Sequence, residues 1–160
     1  MRRYACASSH LGFGSAGVIA ALWNPSSVIS LYVVFVSIDV NETQGTYGPI
    51  KTLYRITTQG TPGATVTPDA DNAFDRREAP PSGAVLNTSS YSVAPTLQAP
   101  GLEVWQHDRE IGERFERWFR GRSRNNGPKG IRVPPGTGLA WHSDTTYGDD
   151  IHRFTWVWDE

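Results

Sequence analysis

VISLYVVFVSIDV, Val28 to Val40, is an apolar run dense in β-branched and aromatic residues. Such side chains are stiff at χ1 and pack well on a pleated surface, so the run reads as a strand. It falls far short of the roughly twenty apolar residues a membrane helix needs. In a strand, Val28, Tyr32, Val34, Val36, Ile38 and Val40 share one face. Ile29, Leu31, Val33 and Phe35 occupy the other, until Ser37 and Asp39. A strand apolar on both sides has both sides covered, which places it at the centre of a sandwich or against a neighbouring subunit.

The rest of the chain continues in the same idiom. Ile50 to Thr58 alternates, with Ile50, Thr52, Tyr54 and Ile56 on one side. Short strand candidates follow at Ala84–Leu86, Ser90–Ala94 and Gly101–Gln106, separated by Pro95 and Pro100, then at Ile131–Val133 and Leu139–His142 around Pro134 to Gly138. The chain closes on FTWVWDE, Phe154 to Glu160, where Phe154, Trp156 and Trp158 share one face and read as a final strand whose rings close a core or an interface. Gln59 to Gly83 is rich in Pro, Gly, Asp and Asn and reads as a long loop. With 160 residues, one domain is expected. The sequence predicts an all-β fold, an antiparallel β-sandwich of jelly-roll type over residues 26–160, with a long loop at 59–83 and a charged insertion at 108–130. Residues 1–25, glycine- and serine-rich, are expected to form an extended N-terminal arm.

Asp108 to Arg122, DREIGERFERWFRGR, fits two descriptions. Asp108 as N-cap would put Ile111, Phe115, Trp118 and Phe119 on one helical face. Phe115, Arg117 and Phe119 equally alternate in a strand. The basic residues here (Arg109, Arg114, Arg117, Arg120, Arg122, Arg124, Lys129) alternate with Glu110, Glu113 and Glu116. That interleaving favours a solvated face over a patch gripping phosphates.

Composition narrows the function. The formal net charge is −1, so no overall field holds a polyanion and no nucleic-acid partner is expected. A single cysteine, Cys6, excludes an internal disulfide framework and a thiolate metal cluster. Ser8, Ser9 and His10 interrupt the apolar start, so no secretory signal and no membrane association are expected.

The motifs that suggest chemistry fail on context. GFGSAG, Gly12 to Gly17, matches the dinucleotide fingerprint, with Asp39 downstream. That fingerprint needs a buried strand before it and a helix of several turns after it. Neither is legible, since Asn24-Pro25 stops any helix early. His10, His107, His142 and His152 lack ligand spacing. Asp69, Asp71, Asn72 and Asp75 lack the glycine and glutamate of a calcium loop. No catalytic residue, cofactor or metal is expected, and the chain is not read as an enzyme.

The segment GTPGATVTPDADNAFDRREAPPSGAV, Gly60 to Val85, resembles one that recurs in small β-rich structural proteins of tailed bacteriophages. GIRVPPGTGLAW, Gly130 to Trp141, and the terminal FTWVWDE are similar to the closing strands of the same group. The charged segment Gly112 to Lys129 departs from the pattern, where a shorter connection is usual. The resemblance implies a virion structural protein, assembled in the bacterial host cytoplasm. Its implied role is a head decoration or cement protein that self-associates as a trimer and binds the major capsid protein. A tail or head-fibre component, or a carbohydrate-binding jelly roll, is the alternative; the latter would show Trp105, Trp118 or Trp141 facing solvent. The residues expected to carry association are Leu11, Phe13, Ile19, Leu22 and Trp23 on the arm, and Phe154, Trp156 and Trp158 at the end. The 59–83 loop is long enough to wrap a neighbour.

Overall fold

A computed structural model of the chain describes residues 2–11, 17–41, 50–68, 73, 82–87, 91–106, 114–119, 130–144 and 151–160. These residues form strands and their connections, with no helix among them. The strands are β1 (Arg3–Leu11), β2 (Gly17–Asn24), β3 (Leu31–Asn41), β4 (Ile50–Ile56), β5 (Thr61–Pro62), β6 (Thr65–Val66) and β7 (Val85–Asn87). They continue with β8 (Tyr91–Val93), β9 (Leu97–Gln106), β10 (Arg114–Trp118), β11 (Ile131–Val133), β12 (Thr137–Ser143) and β13 (Ile151–Asp159).

All pairings are antiparallel. The first sheet runs β1-β13-β3-β10, with β11 following β10 along the same edge of β3. The second runs β6-β7-β2-β12-β4-β9, and β5 pairs with β8 in a small third sheet. The two large sheets share one core. Tyr4, Leu31, Val33, Val36, Ile38, Phe154, Trp156 and Trp158 of the first meet Ile19, Leu22, Leu53, Leu86, Leu139 and Trp141 of the second. Phe115 of β10 closes one flank, its ring edge-on to Trp141 at 5.6 Å.

The run that decided the fold is central, as expected, but its faces are not those of a regular alternation. Against β13, Val157 stands opposite Phe35 and Trp158 opposite Val33, so Val34 is an extra residue. A β-bulge of this kind reverses the inward parity of everything beyond it. Leu31 and Val33 therefore point into the core together with Val36 and Ile38, while Val34 and Phe35 both point outward. The strand also starts later than its hydropathy suggests, because Val28 and Ile29 stay outside it in solvent.

One further expectation is corrected, and one alternative left open by the sequence is decided. Residues 2–11 and 17–25 are not an arm: β1 pairs along its whole length with β13, and β2 lies between β7 and β12. Glycines and serines did not prevent this, because Tyr4, Ile19 and Leu22 give both strands an apolar inward face. The charged stretch is a strand where it is described, Arg114–Trp118, since its register on β3 sends Phe115 inward and Trp118 outward. One helical face would have kept those two rings together.

The 59–83 excursion serves its own chain over its described residues. β6 extends the second sheet beside β7, Pro68 O accepts from Ser82 N at 3.0 Å, and Ala73 bridges to Tyr4 at the edge of the first sheet. Ala73 and Ala84 are buried in the shared core, so the excursion closes the flank between the two sheets. Buried Asn87 then pins the neighbouring strand, donating from Nδ2 to Ile19 O at 3.1 Å and accepting from Ala21 N.

One close approach fixes a residue type in the middle of the second sheet. A Cβ at Gly138 would lie 2.5 Å from Leu22 O and 2.9 Å from Ile56 Cγ1. Gly138→Ala must push β12 away from both neighbours, at a cost of about 1–3 kcal/mol. Chemical denaturation of the variant should show a lower midpoint with an unchanged slope.

Candidate association surface

The outward face of the first sheet is a lattice that the register defines. Ala5 faces Val157, Val157 faces Phe35 and Phe35 faces Trp118, giving one apolar row across all four principal strands. Directly opposed side chains in antiparallel strands lie close enough to pack. Val34, Phe35 and Val157 are buried, with Ala5 against them, and the Trp118 ring lies 4.6 Å from that of Phe35. Trp118 ends the row on edge strand β10 and is 53% exposed. On one side of this row Ala7, Thr155, Ser37 and Glu116 form the next; beyond it stand Arg153, Asp39 and Arg114.

Three arginines around the row, Arg3, Arg114 and Arg117, have carboxylate partners within the chain. Arg3 donates through Nε and Nη2 to the two carboxylate oxygens of Asp159, at 2.7 and 2.9 Å. Hydrogen bonding to that carboxylate raises the Arg3 pKa above its ordinary value, against the opposing effect of burial. Arg114 Nε lies 3.2 Å from Asp39 and 2.7 Å from Glu116. Arg117 points the other way and joins the sheet edges, its Nε 3.1 Å from Glu103 on β9. Of the interleaved acid–base pattern, Arg114–Glu116 is a local pair and Arg117 reaches across to the other sheet; Arg109, Arg120, Arg122, Arg124 and Lys129 lie outside the described residues.

The second sheet manages its outward apolar face differently. Ala21, Ile56 and Ala140 are covered by Val18, Trp23, Tyr91 and Leu97, so the segment around β8 folds back over it. Burial there pushes the Tyr91 phenol pKa well above its ordinary value. In the first sheet's row Val34, Phe35 and Val157 are buried, and the row ends on a half-exposed indole.

The residues expected to carry association are placed as follows. Ile19, Leu22, Phe154, Trp156 and Trp158 are inside the shared core and unavailable to a partner. Their expected role is corrected for a simple reason: a two-sheet core needs large inward side chains on central strands β2 and β13, and these supply them. Trp23 is half-buried in the outward cluster of the second sheet. Leu11 ends β1, but its side chain lies outside the description, as does all of Phe13. Of the candidate shelf, Trp141 is buried and Trp118 faces solvent; the Trp105 side chain lies outside the description. The exposed aromatic that the expected association residues did not include is thus Trp118, and the signal for it was the strand reading of its own segment.

The remaining chemical motifs are described only in part, and His107 lies outside the described residues. Gly17 opens strand β2, not a helix, so the third glycine of the fingerprint presents no helix N-terminus to a pyrophosphate. His142 is 3.4 Å from Asp144, while His152 is buried on the first sheet with its ring stacked on Phe154. No cluster of three metal-ligating side chains occurs among the described residues. The DADNAFD stretch is described only at Ala73. Comparison with protein-family models, curated proteins and solved structures finds no match to this chain.

Proposed function

We propose that the chain is a structural protein of a tailed-bacteriophage virion, a capsid decoration or cement protein that self-associates as a trimer and binds the major capsid protein. The observation that carries this reading is the outward row of the first sheet, which ends in Trp118 on an edge strand. An edge strand is a template for pairing, and a half-exposed indole over an apolar row adds contact area to it. The strand order supports the container. β1, β13, β3 and β10 face β2, β12, β4 and β9, and the chain crosses repeatedly between the sheets. We read that winding as a jelly roll, an architecture of viral capsid and lectin domains. The resemblance of Gly60 to Val85 and of the closing strands to tailed-phage proteins supplies the biological setting.

Light scattering on the purified protein tests the self-association. The wild type should have a trimer's mass at micromolar concentration, and Trp118→Asp should have a monomer's. A monomeric wild type, or an unchanged mass for the variant, would sink the assignment of this surface. Co-sedimentation with isolated heads and a gain in their heat resistance test the cement role.

One observation favours a second reading, a carbohydrate-binding jelly roll: the same Trp118 ring is exposed enough to stack on a sugar. Titration with neutral oligosaccharides, followed through the indole N–H signals, separates the two.

A further inference from the structure

The six-residue connection between β2 and β3 is tied down along its length by two side chains, Asn24 and Ser26. Asn24 is buried, and its Nδ2 donates to Ile29 O at 2.8 Å and to Val133 O at 3.0 Å. Its Oδ1 accepts from Ser26 N at 3.2 Å. Ser26 Oγ in turn accepts from Val28 N at 3.1 Å and Ile29 N at 2.8 Å. The Asn24 carbonyl takes Gly136 N at 2.9 Å, so the loop is also tied to the turn between β11 and β12. A chain held at this many points has already met most of the ordering cost of presenting its tip. The tip consists of two branched aliphatics, Val28 at 81% and Ile29 at 52% exposure.

Beside that tip lie two arginines with no carboxylate partner among the described residues. Arg132 Nε is 3.2 Å from Ser30 Oγ, and Arg55 Nη1 donates to Arg132 O at 2.6 Å across the gap between the sheets. Arg55, Ile56, Gln98, Arg132, Pro134 and Thr137 line a groove of about 260 Å³. Among the described residues Arg3, Arg114 and Arg117 each have a carboxylate partner; Arg2, Arg55, Arg132 and Arg153 have none, and of these Arg55 and Arg132 stand together at one groove.

We infer that this end of the sandwich docks onto a protein surface that offers an apolar socket for Val28 and Ile29 and carboxylates for Arg55 and Arg132. The inference rests on the virion reading above, which makes the major capsid protein the partner. It separates two jobs: Trp118 joins copies of the chain, and the β2–β3 loop end joins them to the head. Complementary charge argues for a protein over a lipid surface. Two arginines supply only about 1 kcal/mol each at an anionic membrane. The tip also lacks the Trp and Tyr that anchor at a bilayer interface.

The test uses three full-length proteins, the wild type, V28S/I29S and R55Q/R132Q, with isolated heads lacking the protein. The wild type should co-sediment, more weakly at higher salt. Each double variant should lose about tenfold or more in affinity, as expected for anchor residues. Both should keep the wild type's oligomeric mass and melting temperature. Head binding undiminished in both variants would overturn the inference and leave the virion role intact. A variant that loses oligomeric mass would assign the loop to contacts between copies and also overturn it. So would flotation of the wild type, but not V28S/I29S, with phosphatidylcholine–phosphatidylserine vesicles. If the wild type itself fails to bind heads, both the virion role and this docking assignment fall.

Discussion

Trp156→Ala should cost about 3–5 kcal/mol of folding free energy, the range for emptying a buried tryptophan site. Trp156 is fully buried on β13, the strand between β1 and β3, with sheets closing over it from both sides. The cavity cannot collapse easily, because Val36 is held opposite by the ladder. For a domain of this size the loss lowers the melting temperature by about 6–20 °C. Trp156→Phe should cost much less. The indole Nε1 is buried with no hydrogen-bond partner among the described residues, so phenylalanine removes an unmet donor along with some volume. If alanine and phenylalanine are equally harmful, packing is not what Trp156 supplies. Urea titrations followed by far-ultraviolet dichroism give the comparison.

Asn24→Ala should destabilise by about 2–4 kcal/mol, because it strips partners from two carbonyls and an amide in one step. Ile29 O, Val133 O and Ser26 N all depend on that one side chain. Asn24→Asp should be nearly as harmful, since a carboxylate accepts but cannot donate. A loss below about 1 kcal/mol for Asn24→Ala, the size expected of one ordinary hydrogen bond, would show that the loop orders itself by other means. Amide exchange at Val28 and Ile29 reports the same event locally, and protection there should vanish in the alanine variant.

What was readable from residues alone was the language and not the grammar. Alternating Ile50 to Ile56 and the terminal Phe154, Trp156 and Trp158 announced strands, and they are strands. Long-range partners leave no periodic trace, so the pairing of β1 with β13 was invisible, and the first residues looked like an arm. The bulge at Val34 was equally hidden: VVFV shows no glycine or polar break, and only the mismatch with Val157 and Trp158 creates it. Pro100 read as a separator, yet β9 runs through it. The strand lies at the sheet edge, where a missing donor is tolerated. The candidate surface was obscured for a related reason. The eye picks the largest apolar side chains, and in a sandwich those go inward, leaving Trp118 within a run of charges to mark the outside.

The position of β13 has a consequence for how the molecule is made. This strand joins β1 to β3, and its register pairs Arg3 with Asp159. Pairings this distant in sequence close slowly, after most of the loop entropy has been surrendered. On the ribosome, β3 can pair with β10 and β11 as they emerge, whereas β1 has no ladder to enter until β13 leaves the exit tunnel. Until then the apolar face of β1 waits uncovered, and a translation pause just before Ile151 would prolong its exposure to chaperones and to aggregation.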